Sequence, residues 1–302
     1  MIRAFLALLL LCSSAVAQQS SNFPASTYRP LSDGISLVPR SGLLYVGPGD
    51  VVASATAWWG LRCYNTAYTG NVADVWDAST GSTTETLLTC SAGGTINQTI
   101  NSLATTCAVS CDIKTLYDQT GHGNDMTRAA NAGRPLFTLS GLGSFSVATF
   151  GSMANIFLQT AGSIATGSQP YTLSGVYKNT GASQSPLLGG SGSGVPQIGA
   201  GISANNAYLY AGTVASAAAT DSSFHAVQGI LNGASSVLYV DGSSHTVNAG
   251  TGAATTVFVM GSDDGSTHFM AGAMVEAGLW PIGFSGAQQA SMNSNQHSYW
   301  SF

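Results

Sequence analysis

Glutamate occurs only twice in the 302 residues, at Glu85 and Glu276, and charged residues of all kinds make up 7% of the chain. An average soluble protein carries roughly 25%. Lys and Glu are the usual fillers of exposed helix surface, so a chain this poor in them has little with which to solvate long amphipathic helices. Its 37 glycines, interspersed with Ser and Thr, point instead to strands joined by turns. With 44% apolar and 9% aromatic residues the chain can bury a large core, which excludes a disordered protein. Its eight Lys and Arg form no basic cluster for nucleic acid, and no Gly-rich loop followed by Lys marks a phosphate site.

Met1-Ile2-Arg3 supplies a positive start, Ala4 to Leu11 an apolar run, and Ala15-Val16-Ala17 a small-x-small cleavage pattern. Residues 1–17 are therefore expected to be a signal peptide, cleaved after Ala17. The run is too short to span a bilayer, and no later stretch approaches ~20 uninterrupted apolar residues. The expected product is secreted or periplasmic, with no membrane attachment after cleavage. Losing Arg3 takes Lys plus Arg from 8 to 7 against 13 Asp plus Glu, a net charge of −6. Four cysteines then remain. An even count in an exported chain reads as two disulfides, and of the three pairings we favour Cys107 with Cys111 and Cys63 with Cys90. The Cys107/Cys111 spacing resembles a zinc half-site only superficially, because no second ligand pair lies nearby; no metal and no cofactor is expected.

Residues 18–45 form a polar leader, and 46–302 read as one domain without internal repeats or long linkers. From Val51 to Tyr64 apolar residues recur at near-helical spacing around Trp58 and Trp59, with Asp50 or Ser54 as cap, so a short helix is expected there. Most of the remaining chain consists of short apolar or alternating runs divided by Gly, Ser and Asn: Ile113 to Tyr117, Phe145 to Phe150, Tyr171 to Tyr177, Ala207 to Ala211, Ala226 to Leu231, Ser236 to Val240, Thr256 to Met260, and Phe269 to Trp280. Runs of that number and length predict an all-β sandwich. Ser285 is a good N-cap, and Gly286 to Gln296 has no proline or β-branched residue, so a C-terminal helix is expected. Phe224 to Val227 leads through Leu231-Asn232-Gly233 to Val237–Val240 and an Asp241-Gly242 turn. With the strand closing on Leu279-Trp280-Pro281, this hairpin resembles the late strands of concanavalin A-like, laminin-G-type jelly rolls.

The most specific stretch is Leu116-Tyr-Asp-Gln-Thr-Gly-His-Gly-Asn-Asp125. Asp118 and Asn124 can bond backbone two residues on, and Gly121 and Gly123 allow positive φ, so the segment reads as a rigid loop after a strand. Tyr117, Asp118, Gln119, Gly121, Gly123, Asn124 and Asp125 are accordingly assigned a structural role. Their oxygens match no EF-hand spacing for Ca²⁺. Together with Leu61-Arg-Cys-Tyr-Asn-Thr-Ala-Tyr-Thr-Gly70, the stretch closely resembles the catalytic domain of α-L-arabinofuranosidase B, glycoside hydrolase family 54. Here the two close cysteines are one residue nearer, and Thr120 stands where the family has Ser. The resemblance is strong from about Trp59 to Ala130. The Tyr-Asp-Gln-x-Gly-x-Gly block also occurs in laminin-G-like proteins of no established activity, so the fold it implies hosts both hydrolases and binding modules.

Retaining glycoside hydrolysis needs two carboxyl groups roughly 5 to 5.5 Å apart. The candidates are Asp112, Asp118, Asp125, Asp221, Asp241, Asp263, Asp264 and Glu276. Asp112 beside a disulfide and Asp241 in a turn read as structural. Gly261-Ser-Asp-Asp264 resembles the family's Gly-Gly-Asp-Asn, whose Asp is the acid/base, so the resemblance implies Asp263 as acid/base, with Asp264 as its rival; Asp264 and Asp221 are also substrate-binding candidates. The family's nucleophile is a Glu on a strand after a Gly-rich loop, and Gln197 stands at that position here. An amide bonds a sugar hydroxyl but does not attack an anomeric carbon. No acid occurs between Lys178 and Thr220, and the family's adjacent Cys-Cys pair is missing from Tyr177 to Gly194. Asp221 or Glu276 is then the substitute acid if the protein turns over. His225 and His122 read as structural, Trp58, Trp59 and Trp76 as core and rim, and Asn97-Gln-Thr99 as a glycosylation sequon. The resemblance implies an arabinofuranosyl-containing polysaccharide as partner: a hydrolase of terminal α-L-arabinofuranosyl residues if active, or else a lectin-like glycan-binding or surface module.

Overall fold

Strand Gly272–Trp280 is buried at every position, and the rest of the sheet grows outward from it. A computed structural model describes residues 44–77, 85–97, 107, 111–151, 155–181, 184–191, 194–200, 206–219 and 222–302. The segment expected to be a signal peptide and most of the expected leader, together with Asp221, fall outside these residues. On one side Gly272–Trp280 pairs with Tyr171–Asn179, followed by Phe224–Leu231, Ser236–Val240 and Ser243–Val247, all antiparallel. On the other side it pairs with Ala57–Gly60 near its end and with Phe145–Phe150 near its start. This is the first layer.

The second layer runs Val214–Ala219, Asn206–Tyr210, Gln197–Ala200, Ser185–Gly190, Phe258–Met260, Leu158–Thr160 and Met126–Thr127. Cys111–Leu116 then joins it to Asn71–Asp77, Glu85–Ser91 and Leu136–Leu142. Two glycines let the layers interlock. A Cβ at Gly175 in the first layer would lie 2.4 Å from Leu187 Cδ2 in the second, and one at Gly229 would lie 2.3 Å from Leu209 Cδ1. Overlaps that close are excluded, so each leucine packs into space that only the lack of a side chain provides. The result is the all-β jelly-roll sandwich expected from the sequence, with one short N-terminal and one C-terminal helix.

The strand runs expected at Phe145–Phe150 and Ser236–Val240 have those bounds. The hairpin turn is also as expected, with Asp241 at φ 49° and Gly242 at φ 83°. The helix expected over Val51 to Tyr64 is corrected. Only Pro48–Val51 is helical, Ser54 sits at φ 62°, and Ala57–Gly60 is a strand buried throughout. Trp58 faces Tyr64, Trp280, Phe284 and Met292, whereas Trp59 faces the main core. A strand covered on both faces shows an unbroken apolar run, which imitates a helix by periodicity. Helix Gly286–Trp300 is capped by Ser285, whose side chain accepts from the Gln288 N–H while the Gln288 side chain returns to the Ser285 N–H. The disulfides are Cys63–Cys90 and Cys107–Cys111, the favoured pairing. Among the described residues, no helix is long and apolar enough to cross a membrane.

Candidate functional site

The Tyr117–Asp125 loop is a clamp on the first strand. Asp118 Oδ1 accepts from Trp58 N (3.2 Å), Thr120 N (3.1 Å) and Thr120 Oγ1 (2.7 Å), and Oδ2 accepts from Asn124 N (3.1 Å). Asp125 Oδ1 in turn accepts from the Asp118 N–H. Gln119 donates to the carbonyls of Gly60 and Arg62 and accepts from Tyr64 N. Asn124 Nδ2 bonds the Thr56 carbonyl, and Trp59 Nε1 donates to the Asn124 carbonyl. Gly121 and Gly123, at φ 86° and 74°, make the return possible. The side chains of Asp118, Gln119, Thr120, His122, Asn124 and Asp125 thus bond the loop itself or residues 56–64.

Glu276 is withdrawn from the acids available to a reaction. Its carboxylate is enclosed and receives Arg62 Nε at 2.5 Å, Arg62 Nη2 at 3.0 Å, Gln296 Nε2 at 2.9 Å and Trp300 Nε1 at 2.8 Å. The Arg62 guanidinium packs against the rings of Tyr299 and Trp300. Burial, the largest effect, works against the charged guanidinium, but the Glu276 carboxylate together with Tyr45 and Tyr299 outweighs it, so Arg62 holds its proton more tightly than usual. Asp112 is likewise buried against Arg134, and Asp241 accepts from His225 and from Ala226 N. His122 bonds the Thr56 carbonyl and Thr120.

Asp263 and Gln197 come together around Gly189. Strand Ser185–Gly190 lies between Gln197–Ala200 and Phe258–Met260, with Gly189 opposite Gln197 on one side and Val259 on the other. Asp263 follows Phe258–Met260 through a turn opened by Gly261 at φ 85°. A Cβ at Gly189 would lie 3.0 Å from Gln197 Cγ and 3.5 Å from Asp263 Cα, so both residues flank the same missing side chain. Both are largely buried. The Asp263 carboxylate accepts from Thr267 Oγ1 at 3.0 Å and from His268 Nδ1 at 2.5 Å. Gln197 Oε1 accepts from the Tyr208 hydroxyl at 3.4 Å, which Gln184 also reaches. Burial, aided by the Asp263 charge and only partly offset by Gln184, raises the Tyr208 phenol, so it stays a donor.

The Asp264 carboxylate is bonded within its own turn and shares Thr267 Oγ1 with Asp263. Its Oδ1 accepts from Ser266 N at 2.7 Å, Thr267 N at 2.8 Å and Thr267 Oγ1 at 3.2 Å. Slight burial pushes its carboxyl up, but these donors prevail and hold it down at about 2. Sequence reasoning missed His268 and Tyr208. His268 is five residues past Asp263 across a loop, and Tyr208 reaches Gln197 only through strand register. Among the described residues, no group of three or more His, Cys, Asp or Glu side chains is placed to hold a metal.

Fold and site thus define a jelly-roll sandwich in which Asp263 and Gln197 flank one strand glycine, Gly189. Residues 48–149 match the family model described as alpha-L-arabinofuranosidase B, catalytic. Alpha-L-arabinofuranosidase B of Penicillium canescens is 38% identical over 101 residues, 32% of this chain and 21% of the relative. Two solved structures share the fold. A glutamate-to-glutamine mutant of a GH54 α-L-arabinofuranosidase soaked with 4-nitrophenyl α-L-arabinofuranoside superposes with TM-score 0.67 at 16% identity, covering 84% of this chain and 65% of that one. An arabinofuranosidase complexed with arabinofuranosyl-α-1,2-xylobiose gives TM-score 0.65 at the same identity and coverage. The chain therefore resembles the catalytic domain of α-L-arabinofuranosidase B of glycoside hydrolase family 54. It spans about a fifth of the curated relative and under two thirds of the solved ones. The matched segment contains the Tyr117–Asp125 clamp and ends before Gln197 and Asp263.

Proposed function

We propose that this chain is an exported, carbohydrate-directed protein of the arabinofuranosidase B type. Its site at Asp263 receives terminal α-L-arabinofuranosyl groups of arabinan- or arabinoxylan-like polysaccharide and holds them without retaining hydrolysis. One observation carries this reading: Gln197, through its side chain, and Asp263, through its backbone, both lie against the missing Cβ of Gly189, so the two residues that meet there bring one carboxyl and one amide, where retention needs two carboxyl groups. Asp263 and Gln197 supply an acceptor and a donor–acceptor pair suited to sugar hydroxyls. The substrate class rests on the likeness to proteins solved with arabinofuranosyl ligands.

Retained Asp263 in its Gly-Ser-Asp-Asp turn favours a second reading, hydrolysis with Asp263 as acid/base and another nucleophile. Calorimetric titration with arabinofuranosyl-xylobiose, run beside release of 4-nitrophenol from the aryl arabinofuranoside, separates the two. Binding without release supports the first reading. Release by the wild type that vanishes in Asp263→Asn establishes the second, and absence of both overturns the assignment. Under the first reading, Gln197→Glu restores the second carboxylate and is expected to give measurable release where the wild type gives none.

A further inference from the structure

The turn that carries Asp263 is built to bring a histidine back onto it. Gly261 and Met270 close it by a backbone bond of 2.8 Å from Met270 N to the Gly261 carbonyl. Inside, Ser262 Oγ donates to the Thr267 carbonyl and accepts from Gly265 N, while Asp264 gathers the N–H groups of Ser266 and Thr267. Phe157 packs beneath, against Gly265 and stacked on Phe269. This frame delivers Thr267 Oγ1 to Asp263 Oδ1 and His268 Nδ1 to Asp263 Oδ2, so each carboxylate oxygen has a donor.

His268 sits at φ +47°, in the left-handed region. Glycine takes this conformation without penalty, whereas other residues pay for it, Asn and His less than most. The chain carries an imidazole there nonetheless, and 48% of that side chain is exposed, so burial in the core does not account for it. An ionised carboxylate only accepts, so Nδ1 donates and Nε2 is left as the ring's outward nitrogen. Backbone conformation held at some cost beside a site residue is the pattern expected of a functional constraint.

We propose that His268 is a positioning residue for arabinofuranosyl binding: its Nδ1–H fixes the Asp263 carboxylate in the orientation that accepts sugar hydroxyls. This rests on the proposed function, and two measurements keep the failures apart. The first needs no ligand. Imidazole ¹⁵N shifts of the wild type are expected to show a protonated Nδ1 at His268 with a low-field proton that disappears in Asp263→Ala. An Nε2–H tautomer indifferent to Asp263→Ala would overturn the dyad. The second compares His268→Gly, which keeps the positive φ and removes the ring, with His268→Asn, which keeps the φ and restores an N–H near the Nδ1 position. Loss of one charge-assisted bond predicts about tenfold weaker calorimetric binding of arabinofuranosyl-xylobiose by His268→Gly. His268→Asn is expected within about twofold of wild type, and both variants to melt no lower than it. Wild-type affinity in His268→Gly, or equal losses in both variants, overturns the inference. A wild type that binds no arabinofuranosyl probe overturns the proposed function instead, and the ¹⁵N shifts still decide whether the dyad exists.

Discussion

Arg62 is wholly enclosed, and Glu276 is the carboxylate that makes its charge tolerable there. Removing one partner of a buried pair leaves the other uncompensated, at roughly 3–5 kcal/mol. Glu276→Gln is therefore expected to lose about that much in urea unfolding, although the amide keeps the shape. Asp264 makes a different prediction. Its carboxyl lies at about 2 in the folded protein, below the ordinary Asp value of about 3.9. Its contribution is fully present above the ordinary value and is lost as pH falls through about 2. Between pH 4 and 2 the wild-type melting temperature should fall more steeply than that of Asp264→Asn. At this scale the sequence marked Asp263 and Gln197 as the residues to inspect, since their types limit the chemistry. It could not show that Glu276 was already engaged, because Arg62 lies 214 residues away, and nothing local reveals that partner.

Among the elements, the clamp loop shows how a motif can carry a family likeness without carrying chemistry. Asp118 ties Trp58 N to the loop through one carboxylate that also accepts from Thr120 and Asn124. Bonds to a charged acceptor are worth about 1.5–3 kcal/mol each and are not additive. Asp118→Ala should cost at least about 3 kcal/mol, and hydrogen exchange should show the Trp58 amide losing protection before those of strand Tyr171–Asn179. Its loop was legible because Asp, Asn and Gly act on their own backbone within a few residues. Strand Ala57–Gly60 was not, because its burial on both faces comes from distant partners: Trp280 and Met292 for Trp58, the main core for Trp59.

Across the whole molecule, the sandwich was legible because alternation and turn residues repeat along the chain, and many weak signals agree. Its candidate site was only half legible. Gly189, Gln197, Tyr208 and Asp263 meet through the pairing of four strands and a turn, and register between distant strands is not written locally. Helix Gly286–Trp300 closes the structure over Trp58, Trp280 and Phe284 through Met292, and supplies two of the donors to Glu276. A chain stopped after Ser285 is expected to keep β-type far-ultraviolet dichroism, lose near-ultraviolet signal and bind ANS. A cooperative native-like melt of that fragment would refute this.

The same helix sets a timetable for synthesis. Arg62 leaves the ribosome 214 residues ahead of Glu276, and Gln296 and Trp300 follow 20 and 24 residues later still. The enclosed Arg62–Glu276 pair thus has its full set of bonds only when residue 300 has been made, so the nascent chain has reason to stay open, with Arg62 in water, until translation has passed that point.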